Sequence, residues 1–163
     1  MNLKIWKYFI QDWGAGGHPF PTAMPTTVII AMHEAVKLAL EEGLEKRYRR
    51  HLVASKAMRE GCKRLGFEPV AAEEVRSKTV TLVSAPTAGK IIETMENNFN
   101  ILIAGGLSKL KDKALRIGTM GVTASPFYVL PTLSALENTA AVLGIPVTSG
   151  SAVAEASRIF QTG

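Results

Sequence analysis

Arg116 is the side chain in this sequence whose type and surroundings point most directly to chemistry. It lies inside the apolar run Ala114–Gly118, which is typical of a β-strand. A guanidinium is costly to bury unless it faces water or pairs with an anion, and its planar fork matches a carboxylate in a bidentate manner. Two interpretations therefore stay open at this point. Arg116 lies on the open face of a sheet, which is the commoner case, or it binds a carboxylate.

Other common catalytic signatures are missing from the sequence. It has no glycine-rich phosphate loop before a lysine, no His-Glu-x-x-His, no paired cysteines and no Gly-x-Ser-x-Gly. The histidines His18, His33 and His51 are scattered, which favours structural roles over metal ligation. Cys62 is the only cysteine, and its helical spacing from apolar neighbours predicts a buried, unreactive thiol. We predict no metal site.

The net charge of +5 raises the question of nucleic-acid binding, because basic residues are concentrated between residues 46 and 64. On a helix these bases, Arg59 among them, fall on the solvated faces beside a buried apolar stripe. Glu45 and Glu60 interrupt the positive field, and no aromatic side chains alternate with the bases as a stacking platform requires. Nucleic-acid binding is therefore disfavoured as a function.

Composition indicates a folded protein, since 47% of its 163 residues are hydrophobic and 20% are charged. No apolar run approaches the roughly 20 residues that span a bilayer, and the basic, aromatic start has no signal-peptide pattern. A single cysteine is typical of a reducing compartment. These features predict a cytoplasmic protein with no membrane partner.

Three segments are predicted along the chain. Residues 1–24 are rich in glycine and proline and are interpreted as an irregular arm. Residues 25–66 carry apolar side chains at helical spacing with a break at Gly43, which predicts two long connecting helices. Residues 67–163 are interpreted as a small α+β domain.

The third segment contains strand and helix patterns in succession. The runs 79–83, 101–104 and 114–117 are β-branched or apolar and predict three strands. Helices are predicted between Thr87 and Phe99, from Ser125–Pro126 to Leu143, and over 151–160. This order indicates an α+β fold with helices on one face of a small sheet.

The run Ile103–Leu107, followed by Leu115–Gly121, resembles the small-domain signature of the class V pyridoxal-phosphate aminotransferases, a fold type I family that includes alanine–glyoxylate and serine–pyruvate enzymes. Stretches around His33–Ala35, Glu42–Glu45 and Ser149–Ala154 are similar to the same family in order and spacing. The resemblance covers nearly the whole chain. It implies the family's small C-terminal domain, with a three-stranded, mainly antiparallel sheet and two long connecting helices before it.

The resemblance also implies roles for single residues. The family's arginine at the position of Arg116 holds the α-carboxylate of the substrate. Thr22 is a weak match to the threonine that reaches the partner subunit's cofactor phosphate, because Ala23 occupies the family's position. The cofactor lysine lies in a Ser-x-Gln-Lys-type segment that this sequence lacks. The resemblance thus implies no catalytic residue in this chain and no covalent binding of pyridoxal phosphate by the chain alone.

The implied function is amino-group transfer between a small amino acid and a 2-oxo acid, with a chain that is not competent by itself. The implied partners are the substrate and either a second copy, as a homodimer, or a missing N-terminal half. Two alternatives stay open: a stand-alone structural or dimerisation domain, and the disfavoured basic nucleic-acid-binding domain.

Overall fold

A computed structural model describes residues 3–14 and 24–163. Contacts divide the chain into two compact units, Met1–Leu44 and Glu45–Gly163. This single boundary differs from the two boundaries predicted from the sequence, after residues 24 and 66. The expected contact of Thr22 with a partner's cofactor lies outside the described residues.

The first unit contains helix α1, Leu3–Gly14, and helix α2, Thr26–Glu42. Residues 3–14 are thus helical where an irregular arm was expected. The reason lies in the spacing of Ile5 and Phe9, four residues apart, which places apolar side chains on one helical face before the first glycine. Helix α2 ends as predicted at Gly43, whose positive φ of 82° suits glycine.

Helix α2 buries none of its residues within this chain. Its apolar side chains are nevertheless numerous, and Ile30 is 69% exposed. The large apolar side chains left exposed on both helices are Leu3, Ile5, Trp6, Tyr8, Ile10, Val28, Ile29, Ile30, Met32, Val36, Leu38 and Leu40. Such a density of apolar surface is typical of an interaction surface.

The second unit contains all but the first residue of helix α3, Leu44–Arg64, whose inner face carries the buried Ala54, Met58 and Cys62. Gly61 lets this helix approach its neighbour closely. A Cβ atom at Gly61 would lie 2.5 Å from Leu133 Cδ1. The predicted burial of Cys62 is confirmed.

The sheet has three strands in the order β1-β3-β2: β1, Val80–Ser84; β2, Ala104–Gly105; and β3, Ala114–Gly118. Both pairings are antiparallel, and the predicted α+β class with a small antiparallel sheet is confirmed. Strand β2 is shorter than predicted, because Ile101 donates its N–H to Met95 O and so caps the preceding helix. Asn100 adopts a left-handed φ of 53° to make this cap.

Helices α4, Ala88–Phe99, α5, Pro126–Val142, and α6, Ser151–Thr162, complete the unit close to their predicted bounds. Pro131 lies inside α5 without ending it. The core consists of side chains from the helices and from the covered sheet face, with Met58, Phe67, Ile91, Met95, Leu115, Leu133 and Leu136 as its largest fully buried members. None of the described helices combines the length and apolarity needed to cross a membrane.

Candidate functional site

Arg116 lies at the centre of β3, the middle strand, where it pairs with Leu82 of β1 and Ala104 of β2. Its strand neighbours Leu115 and Ile117 are buried, so the alternation of a strand places Arg116 on the opposite face of the sheet. The side chain is half-buried. Its Nε donates a hydrogen bond of 2.7 Å to the carbonyl oxygen of Gly105.

This bond fixes the direction of the guanidinium and leaves its two terminal nitrogens for another partner. Within the described part of the chain, no acceptor bonds to them. They are the fork that receives a carboxylate in a bidentate pair. The geometry therefore suits binding of a carboxylate, which is the second of the two interpretations of Arg116 from the sequence.

Arg116 lines a cavity of about 270 Å³ together with Arg59 and Arg76. Arg59 is only 8% exposed, which corrects its expected place on a solvated face of the basic helix. It follows Met58 on α3 and turns toward the loop before β1, where its Nη1 lies 3.5 Å from Ser77 O. Burial, and next the charge of Arg76, lower the pKa of Arg59.

Arg76 was not singled out from the sequence, because an arginine in a polar loop before a strand is an ordinary feature. Its Nε donates to Ala71 O at 2.8 Å, which holds the side chain against the loop. Its Nη1 lies 3.9 Å from Glu73 Oε2, but the Glu73 side chain is 85% exposed, so this ion pair is weak. No acidic residue of the described chain lines the cavity.

His51 anchors the turn that follows β3. It is buried, its Nδ1 lies 2.7 Å from Arg47 O, and its Nε2 accepts from the backbone N–H of Gly121 at 2.9 Å. Arg50 donates to the carbonyl oxygens of Gly121 and Ala124 at 2.7 and 3.0 Å. His51 thus has the structural role that the sequence favours. His33 is exposed, His18 lies outside the described residues, and no metal-binding cluster occurs among the residues described.

A larger cavity, of about 370 Å³, opens beside the N-terminal end of α5. Its lining includes Asn100, Thr119, Tyr128 and Thr132, but no charged side chain. It is larger than the cavity lined by Arg59, Arg76 and Arg116, which we call the arginine cavity. It offers no group suited to binding a carboxylate or to acid–base chemistry. The arginine cavity is therefore the better candidate site.

A pyridoxal cofactor held covalently requires a lysine amine enclosed beside the cofactor's aldehyde carbon. The lysines of segments 3–14 and 24–163 are exposed, apart from Lys63. Lys63 is half-buried and donates to Glu60 Oε1 at 2.8 Å. The described residues therefore do not fit covalent attachment of this cofactor.

The chain matches no protein-family profile. It is 37% identical over 130 residues to an uncharacterised aminotransferase of Methanocaldococcus jannaschii, across 78% of this chain and 34% of that protein. It is 34% identical to serine–glyoxylate aminotransferase of Methylorubrum extorquens, across 85% of this chain and 35% of that protein. The chain belongs to the class V aminotransferase family.

Solved structures of class V aminotransferases agree with this assignment. Pyridoxamine–pyruvate aminotransferase from Mesorhizobium loti superposes with a TM-score of 0.81 at 28% identity, over 89% of this chain and 38% of that chain. The match lies in the C-terminal part of these fold type I enzymes. The chain spans about a third of the length of the curated relatives named above.

Proposed function

We propose that this chain is the C-terminal, substrate-binding portion of a pyridoxal-phosphate-dependent aminotransferase that exchanges an amino group between a small amino acid and a 2-oxo acid. The observation that carries the proposal is the fork of Arg116, oriented by its Nε bond to Gly105 and otherwise without an acceptor among the described residues. In this proposal Arg116 binds the α-carboxylate. Thr22 helps to bind the cofactor phosphate in a second subunit.

The chain by itself does not transaminate in this proposal. The exposure of its described lysines supports this, because an exposed amine is not held against an aldehyde carbon. In this proposal the cofactor and its lysine belong to a part of the enzyme outside this chain, which spans about a third of the length of its relatives.

Two measurements on the purified chain test the proposal. Titration with pyruvate, followed by backbone amide chemical shifts, should perturb β3 and the Gly105 region in the wild type but not in Arg116→Gln. Arg64→Gln is the matched control, since Arg64 is exposed on α3 and pairs with Glu155. Equal perturbation in wild type and Arg116→Gln would contradict the assigned role of Arg116.

The second measurement concerns the cofactor. Mixing the chain with pyridoxal phosphate and reducing with borohydride should leave no site-specific lysine adduct by mass spectrometry. An adduct at one lysine, formed at stoichiometric cofactor, would show that the chain carries its own cofactor anchor and would overturn the claim that it is incompetent alone.

A second candidate function is a structural or dimerisation domain, and the exposed apolar side chains of α1 and α2 favour it. If a second copy covers these helices, light scattering at increasing concentration should show a dimer. Ile30→Lys should shift that equilibrium toward monomer, whereas Lys37→Gln on the same helix should not. A wild-type chain that stays monomeric at high concentration would remove this candidate.

A further inference from the structure

The arginine cavity has an unbalanced charge. Arg59, Arg76 and Arg116 line it, and none of the carboxylates that the structure describes does. Among described acids outside the lining, Glu73 is largely exposed and lies 3.9 Å from Arg76, and the charges of Glu60 and Glu73 act on Arg59. Like charges gathered in a partly desolvated cavity raise the free energy of the folded state unless an anion joins them. The cavity is therefore built for more negative charge than one carboxylate on Arg116 supplies.

Arg59 makes this imbalance most acute. The guanidinium is a buried cation whose one hydrogen bond within the described residues, to Ser77 O, is long at 3.5 Å. Burial and, next, the charge of Arg76 lower the pKa of Arg59, and the charges of Glu60 and Glu73 raise it without cancelling the net lowering. Arginine nonetheless stays protonated at neutral pH. No described carboxylate forms a hydrogen bond or ion pair with Arg59, so an anion that arrives with a ligand can still pair with this guanidinium.

We propose that Arg59 and Arg76 bind a second acidic group of the substrate, so that this site prefers a dicarboxylic 2-oxo acid or amino acid over a monocarboxylic one. The inference rests on the proposed function, in which Arg116 binds the α-carboxylate, and it adds the class of substrate. The cavity volume of about 270 Å³ is sufficient for a short-chain diacid.

The test compares pyruvate, with one carboxylate, and 2-oxoglutarate, with two, as ligands of the purified full chain. Affinities come from chemical-shift titrations at fixed ionic strength. The wild type should bind 2-oxoglutarate at least about tenfold more tightly, as one added charge-assisted pair provides. Arg76→Gln and the milder Arg59→Lys should abolish this preference and lower the affinity for 2-oxoglutarate much more than the affinity for pyruvate. Lys78→Gln, an exposed cation two residues from Arg76, is the control and should keep the preference.

The outcomes separate this inference from the proposed function. Equal affinities of the wild type for both ligands, each lost in Arg116→Gln, would overturn the second acid site and support the role of Arg116. A preference that survives in both Arg59→Lys and Arg76→Gln would also overturn it. If 2-oxoglutarate binds through Arg59 and Arg76 but does not need Arg116, then Arg116 does not bind the α-carboxylate. That result would overturn both this inference and the proposed function. Binding of neither ligand by the wild type would overturn both as well. Circular dichroism of each variant checks that it is folded.

Discussion

The Nε2 atom of His51 accepts a hydrogen bond from the backbone N–H of Gly121, 70 residues later in the chain, at 2.9 Å. Since Nε2 accepts, the proton of the neutral ring is on Nδ1, which donates to Arg47 O at 2.7 Å. The imidazole thus connects the N-terminal half of α3 with the turn that ends β3. This turn begins within a few residues of Arg116, so His51 helps to hold the end of the strand that carries the candidate site.

Replacing His51 by alanine should therefore destabilise the fold. The change leaves the Gly121 N–H without its partner and opens a small cavity, at a cost of about 1 to 3 kcal/mol. Urea unfolding followed by circular dichroism measures the free energy of unfolding. His33→Ala on exposed α2 is the control and should change it by less than about 0.5 kcal/mol. Equal effects at both histidines would argue against the role given to His51.

Arg116→Lys should weaken 2-oxo-acid binding even though it retains the positive charge. Lysine has neither the Nε–H that donates to Gly105 O nor the planar fork that donates to a carboxylate at two points. We expect affinity for pyruvate to fall by about tenfold or more, as the loss of one charge-assisted hydrogen bond implies. Undiminished affinity in the lysine variant would mean that charge alone, and not the fork, binds the ligand.

Glu137 caps helix α6 from the neighbouring helix α5. Its Oε1 accepts from Ala152 N at 2.7 Å and its Oε2 from Gly150 N at 3.1 Å, in place of a local side-chain cap. Glu137→Ala should lower the free energy of unfolding by about 1 to 3 kcal/mol, because it leaves buried helix N–H groups unpaired and removes a charge that favours the helix N-terminus. Exposed Glu96→Ala on α4 is the control. Hydrogen exchange should speed up selectively at Ala152 and its neighbours, and uniform exchange rates would contradict the capping role.

Sequence patterns predicted the helices after residue 24 well, because their signals are local, whereas helix α1 was missed. Gly43 and Gly144 follow apolar periodicities and end helices, and both have the positive φ that glycine tolerates. The length of β2 could not be read in this way. Ile101 and Ile103 have strand chemistry, but the N–H of Ile101 is used to close α4, and only the folded chain reveals that competition.

The candidate site was predictable only in part. Arg116 stands out because a cation interrupts an apolar strand, and that signal is local. Arg59 looked like one more base on a solvated helix, since its burial depends on the loop of Arg76 and Ser77 packing over it. No spacing in the sequence indicates that these two arginines and Arg116 share one cavity. The shared cavity is formed by packing between segments that are distant in sequence, which local sequence patterns do not reveal.

Cys62 predicts a pH dependence of stability. Complete burial raises the pKa of its thiol from the ordinary 9.0 to about 12. The unfolded thiol ionises above about pH 9 while the folded one does not, so its contribution to stability is fully present below pH 9 and is lost as the pH rises toward 12. The loss is at most about 1.4 kcal/mol per pH unit.

The free energies of unfolding of wild type and Cys62→Ala, measured across this range, isolate the thiol from other titrating groups. Their difference should shift in favour of the alanine variant above pH 9 and stay constant below it. An aromatic disulfide reagent should also modify Cys62 only after unfolding in urea. Rapid modification of the folded chain would contradict the burial of this thiol.

Gly61 should not tolerate even a methyl group. A Cβ there would lie 2.5 and 2.8 Å from the two terminal carbons of Leu133 and 3.2 Å from Ala152 O, where α3 approaches α5 and α6. Gly61→Ala should therefore cost about 1 to 3 kcal/mol from overpacking, despite the better helix propensity of alanine. Gly89→Ala in α4 is the matched control, because its Cβ would approach only Asp112 Oδ1, at 3.5 Å, and alanine should be neutral or stabilising there. Shortening the opposing side chain in a Gly61→Ala, Leu133→Val double variant should recover part of the loss, and strictly additive effects would show that the two residues do not meet.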